Sequence, residues 1–276
     1  IYSSRIVVPD IPGADRHDLL TAYLQKVVRL KEQNEVIDQV LLFAGNGYNS
    51  DSMRARMDEA WTLRQQFSGM GTLPGFRFDF INHDFDQVIR PRFMAAMSDP
   101  DLDVAILHHH GSEDTQYLGA SRVNGIQSAF DYLKSFLRGR LRRSKDTTAT
   151  KADYIAEYGI TDSWFRGAFD PEITRQDSAY SASMNLSVED MPGYTPQAKF
   201  VMFDACYNGS FYYHDYIGGR SLLQAGNTIV ARGNTVNRQQ AIWPVEMIGL
   251  LRGGVCVAYW AKMNLSRDSH LLGAPT

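Results

Sequence analysis

A chain of 276 residues, 44% hydrophobic and 21% charged, has the composition of a water-soluble globular protein with room for one large α/β domain or two small ones. Its net charge of −3 gives no general pull toward nucleic acid or anionic membrane, and no apolar run approaches the ~20 residues of a membrane-spanning helix. The two cysteines, Cys206 and Cys256, exclude a disulfide scaffold and a four-cysteine zinc site, and leave at most one bridge.

In chain order, Asp15–Asn34 has a helical pattern and leads into a continuous apolar strand, Val40–Ala44. The loop AGNGYNSDS follows; its GNG is a turn signal without the full phosphate-binding fingerprint. Ser50-Asp51-Ser52 then suggests a cap for a helix over Asp51–Phe67. Next come a strand at Phe76–Ile81, a helix over Phe85–Met97 and a strand at Val104–His108. Further on lie a strand at Phe200–Ala205, a helix around Gly218–Ala225, a strand at Thr228–Ala231, a helix over Arg238–Leu251 and a last apolar run, Val255–Trp260. That run reads as a sixth strand, with Cys256 a small buried thiol. Apolar strands alternating with helices predict a mostly parallel sheet of about six strands with helices on both faces, an α/β three-layer sandwich.

One segment breaks this alternation. Residues 119–197, between the third and fourth strands, far exceed a normal crossover and read as an insertion into a single domain spanning 1–276. A helical pattern at Asn124–Leu141 runs into the basic cluster Arg138–Lys145, followed by the polar stretch KDTTATK and then aromatic-bearing loops through Trp164 and Phe169. The cluster fits a solvated helix terminus, where cations suit the helix dipole; a processing site or a partner-binding loop are the alternatives.

The stretch LHHHGSED, Leu107–Asp114, raises the question of function. Along a strand His108 and His110 project to one face and His109 to the other, so the three cannot converge on one ion. A zinc site would need His108 and His110 with distant ligands such as His83 or Asp84, and no recognised spacing sets that up. His110 is placed differently from an ordinary core histidine: it ends a buried strand and is followed by glycine, at the carboxyl edge where α/β sheets present functional groups. The fourth strand ends alike, in Asp204-Ala205-Cys206 and then Tyr207-Asn208-Gly209. A histidine and a cysteine at the ends of two consecutive strands suit nucleophilic catalysis, because an imidazole both activates a thiol and protonates a leaving amine. Backbone N–H groups of Gly111 and Cys206 would serve a developing oxyanion. His108 itself reads as a buried structural imidazole.

These blocks resemble the caspase-like cysteine peptidases, and within them the gingipain family most closely. His109-His110-Gly111-Ser112-Glu113 is similar to that family's histidine block, and Asp204-Ala205-Cys206-Tyr207-Asn208-Gly209-Ser210-Phe211 to its cysteine block. Ser221–Asn237 is similar to the strand and loop after the nucleophile, and His270–Thr276 to the closing turn, so the likeness spans most of Val40–Thr276. It implies a peptidase with Cys206 and His110 as catalytic dyad and Gly111 and Cys206 as oxyanion donors. It also implies peptide or protein substrates, no required cofactor, room for a structural calcium ion, and a secreted or cell-envelope bacterial protein. The first residue, Ile1, is consistent with a longer precursor whose targeting signal is lost. Candidates for orienting the histidine or setting specificity are Asp51, Glu113 and Asp204, with Asn46 in the same loop as Asp51. Asp51 is equally a helix-capping acid, and Asp204 equally a loop holder.

The chain departs from the family in three places: His109 stands where glycine is usual, Ala274 replaces an aspartate of the closing turn, and His110 and Cys206 lie 96 residues apart. Two other classes remain: a catalytically silent relative acting as a binding or secretion-associated module, and a serine hydrolase, for which the Gly-x-Ser-x-Gly elbow is absent.

Overall fold

The apolar runs form the centre of the sheet because each can bury both faces. In the computed structural model, which describes residues 3–33, 35–45, 53–67, 76–83, 89–119, 125–238, 245–264 and 268–274, β1 (Gln39–Ala44), β3 (Val104–His108) and β7 (Phe200–Asp204) are buried along their whole length. With β2 (Arg77–Asn82), β8 (Val230–Asn234) and β9 (Ser269–Gly273) they make a six-stranded sheet in the order β2-β1-β3-β7-β8-β9. All neighbours are parallel except β8 and β9, and this is the α/β three-layer arrangement expected.

Alternation along the strands divides the core between two layers. Leu41, Phe43, Ala105, Leu107, Val201 and Phe203 pack on one face, against α1 (Arg16–Gln33), α3 (Ile89–Met97) and α7 (Ile217–Leu223). Val40, Leu42, Val104, Ile106, Phe200 and Met202 pack on the other, against α2 (Met53–Gln66) and α8 (Val257–Asn264). Each large side chain so buried stabilises the fold by about 1.5–3 kcal/mol. Two polar groups tie α1 down: Tyr23 donates to the Ile229 carbonyl at 2.7 Å, and Lys26 donates to the Leu222 carbonyl at 2.7 Å at the end of α7.

Two expectations are corrected. Val255–Trp260 is not a strand: its second half opens α8, where Val257, Ala258, Trp260 and Ala261 are buried at helical spacing and Trp260 N donates to the Cys256 carbonyl. The sixth place in the sheet is taken by β9, which matches β8 over five residue pairs. Cys256 is only partly buried, and both cysteines are unbridged. Of the helix expected over Arg238–Leu251, the described residues show a short 3-10 turn at Ile248–Leu251, and residues 239–244 lie outside the described set.

The chain divides into two compact units, Ile1–Gly119 with Asn185–Thr276, and Ala120–Met184. The second is formed by α4 (Ile126–Arg143), α5 (Thr147–Tyr158) and α6 (Pro171–Ala182) around Leu137, Leu141, Phe165 and Ala168. The TTATK of the polar stretch KDTTATK opens α5, whose first turn is capped by Asp146 accepting from Ala149 N at 2.9 Å. Within the basic cluster, Arg138 and Arg142 pair with Asp177 of α6 and hold two helices together, rather than standing free in solvent.

Candidate active site at the carboxyl edge of the sheet

His108 lies level with Asp204 in the β3–β7 register, so His110 and Cys206 each sit two residues past matched strand ends. The chain then leaves the main sheet: His110–Gly111 forms β4, antiparallel to β5 (Thr115–Tyr117), which pairs in turn with β6 (Asn185–Ser187). This three-stranded patch was not expected from the sequence. Gly111 is pressed against the cysteine block, where a Cβ would come within 2.6 Å of the Cys206 carbonyl oxygen and 2.8 Å of Asn208 Nδ2. Asn208 is fully buried and donates through Nδ2 to the Ser112 and Thr115 carbonyls, stapling the histidine turn to the cysteine turn. Asn208→Ala is expected to cost about 2 kcal/mol, since two carbonyls lose their donor, and to slow any reaction at Cys206; urea denaturation of both proteins measures it.

Cys206 is 9% exposed at the mouth of this junction. The next residue, Tyr207, has φ of 57°, a left-handed conformation costly for a side chain with a Cβ, and it turns the chain sharply after the sulfur. Gly209 then packs back to back with Gly233 of β8; a Cβ on Gly209 would lie 2.5 Å from the Gly233 carbonyl carbon. Gly209→Ala therefore should destabilise the first unit by roughly 1–3 kcal/mol, visible as a lowered melting temperature.

The third wall is the segment after β8. Asn234 donates to the Ala205 carbonyl at 3.0 Å and accepts from Ser269, and Arg238 Nη1 donates to Ser269 Oγ at 3.0 Å. This chain brings residues 237 and 238 over the sulfur: Cys206 Sγ donates to Asn237 Oδ1 at 2.9 Å and lies 3.2 Å from the Arg238 carbonyl oxygen, while Arg238 N donates to Sγ at 3.2 Å.

Beneath the two turns lies a buried charge cluster. His108 is 0% exposed and held from both sides, Nδ1 2.8 Å from Asp204 Oδ2 and Nε2 3.0 Å from Glu59 Oε1 of α2. Arg56 Nη1 pairs with the other Glu59 oxygen at 2.5 Å. Burial works against a charge on His108, yet the Glu59 and Asp204 carboxylates outweigh it and hold the imidazole above its ordinary value. Burial likewise works against the Glu59 carboxylate, but His108 and Arg56 together keep it below the usual range. A carboxylate oxygen stands at each nitrogen, an arrangement that favours the protonated imidazole. Arg232, buried nearby and pushed down to about 10 by burial, adds a cation on the Asp204 side. His109 is the opposite case: it packs on the other face beside Phe43, with Nδ1 2.7 Å from the His110 carbonyl, and burial pushes it down to about 4, so it is neutral near pH 7.

Of the remaining candidates, Glu113 fixes a turn, its carbonyl accepting from Ile217 N at 2.9 Å, and Asp204 is a partner of His108. Asn46, Asp51 and Asp84 lie outside the described residues. His83 Nδ1 is 3.3 Å from the Ala44 carbonyl oxygen. Among the described residues no group of three or more His, Cys, Asp or Glu side chains could hold a metal ion, and no helix is long and apolar enough to cross a membrane. Glu59, Arg56, Asn208 and Asn237 were not singled out from the sequence as site residues. Asn208 alone carried a signal, its place in the turn after the cysteine.

Compared with family models, curated proteins and solved structures, the chain gives no match.

Proposed function

We propose that the chain is a cysteine endopeptidase of the caspase-like type, resembling the gingipains in its histidine and cysteine blocks. The observation that carries this reading is the matched pair of strand ends: His110 and Cys206 follow the level residues His108 and Asp204, and Gly111 packs onto the Cys206 carbonyl. His110 takes the thiol proton as Cys206 Sγ attacks the carbonyl carbon of the scissile bond. The oxyanion is met by the N–H groups of Gly111 and Cys206. The C–N bond then breaks, His110 returns the proton to the departing amine, and a thioester remains. Water, giving its proton to His110, hydrolyses the thioester and frees the thiol. This chemistry needs no cofactor. His109, neutral and turned to the other face, takes no part, and the charged cluster under the turns holds their positions.

The substrate on this reading is a peptide or protein, and the family likeness points to a secreted or cell-envelope setting in a bacterium. The test is digestion of an unfolded protein mixture, with new amino termini mapped by mass spectrometry for the parent and for Cys206→Ala. Cysteine-dependent termini sharing one residue before the cut support the reading and name its specificity; identical maps for both proteins count against it. The second reading, a silent binding module, draws on the buried His109 where the family has glycine and on the covered sulfur.

A further inference from the structure

The polar contacts of Cys206 Sγ come from residues 237 and 238. Asn237 and Arg238 close on it from the segment after β8, with contacts of 2.9 and 3.2 Å, and that segment is itself anchored through Ser269 and Asn234 to the carbonyl of Ala205, the residue before the cysteine. Asn237 is exposed while its amide end reaches the sulfur, so its contact with the thiol is not a by-product of core packing.

The chemistry of the two groups is complementary. The Arg238 N–H is a fixed donor and suits the sulfur in either protonation state. The Asn237 side chain carries an acceptor and a donor on one planar group. At rest its Oδ1 accepts the thiol proton. Once that proton has passed to His110, a half-turn of the amide presents Nδ2–H to the thiolate instead. A hydrogen bond to an ionised group is worth more than one between neutral groups, so this side chain favours the reactive form.

We propose that Asn237 is a further catalytic residue of the proposed peptidase: its carboxamide, with the Arg238 N–H, forms a cradle that holds Cys206 Sγ as thiol and then as thiolate. The proposal rests on Cys206 being the nucleophile, but its test needs no substrate. The full chain is alkylated with iodoacetamide, and modification is followed at the Cys206 peptide by mass spectrometry, which separates it from Cys256. The parent is compared with Asn237→Ala, which removes both functions, and with Asn237→Asp, which keeps the shape and the acceptor but cannot donate when ionised.

Near pH 6.5 the expected result is on the order of tenfold slower alkylation for Asn237→Ala and a larger loss for Asn237→Asp, with melting temperatures unchanged. Near pH 9.5, where thiols ionise unaided, Asn237→Ala and the parent should converge. A structural role would slow both pH values alike. Unchanged or faster alkylation in Asn237→Ala near pH 6.5, or an Asn237→Asp rate equal to the parent's, overturns the cradle. Failure of the peptidase reading would show elsewhere, as absent cleavage by a protein whose thiol still depends on Asn237.

Discussion

His108→Ala is expected to destabilise the first unit by about 3–5 kcal/mol, because it removes the group that bridges two buried carboxylates and leaves them facing each other across the lost ring. For a unit of this size that corresponds to a fall in melting temperature of roughly 6–20 °C. The imidazole bridges Asp204 at the end of β7 and Glu59 of α2, both nearly inaccessible to water, so no solvent can take its place without opening the sheet end. The pH dependence follows from the directions already given. The raised His108 contributes stability that is fully present below its unfolded value of 6.5 and is lost as pH rises through its folded value. The lowered Glu59 contributes stability present above its unfolded value of 4.5 and lost as pH falls through its folded value. Both contributions are complete only between about pH 4.5 and 6.5. Melting curves from pH 4 to 9 should show the parent losing stability on the alkaline side, and His108→Ala should lack that slope. A parent whose stability rises steadily from about pH 6 to 8 would show that His108 is neutral in the fold.

Cys206→Ala is expected to abolish acyl transfer, and His110→Ala to slow it by roughly 10²–10⁴-fold, the range supplied by a positioned general base. The two losses should differ in kind. Without the sulfur no covalent intermediate forms at any pH; without the imidazole the thiol still ionises as pH rises, so part of the activity returns. Neither change should cost much stability, since Cys206 sits at a strand end and His110 is only partly buried. Steady-state cleavage of one peptide, followed from about pH 6 to 9, separates the cases. A rate and pH profile for His110→Ala equal to the parent's would place His110 outside the proton path.

That His110 and Cys206 lie just past strand ends was legible in the sequence because β3 and β7 are apolar over almost their full length and stop abruptly, which fixes where the chain emerges. The register that sets them level could not be read, since it depends on how two strands 96 residues apart slide against each other. The support beneath them was hidden for another reason. Arg56 and Glu59 sit in MRARMDEAWTLRQQ, a charged helix that looks solvent-facing, and they are buried as a pair with Glu59 also held by His108. Val257–Asn264 misled because a short apolar run fits a strand as well as a helix until the burial of Val257, Ala258, Trp260 and Ala261 reveals its period. Ser269–Gly273 overlaps the segment His270–Thr276 read as a closing turn, and only pairing with β8 makes it a strand. In the second unit, Asp146 ahead of two threonines was a capping signal masked by the polarity of its neighbours.

The central claim is that Cys206 and His110 act as one catalytic unit, and covalent labelling with peptidyl acyloxymethyl ketones carrying Arg, Lys, Asp or Asn before the reactive group tests it most directly. The account predicts attachment of one of these at Cys206, none in Cys206→Ala, and strongly slowed attachment in His110→Ala. Absence of labelling across the panel, in folded protein whose Cys206 still reacts with iodoacetamide, would contradict it and favour the silent binding module.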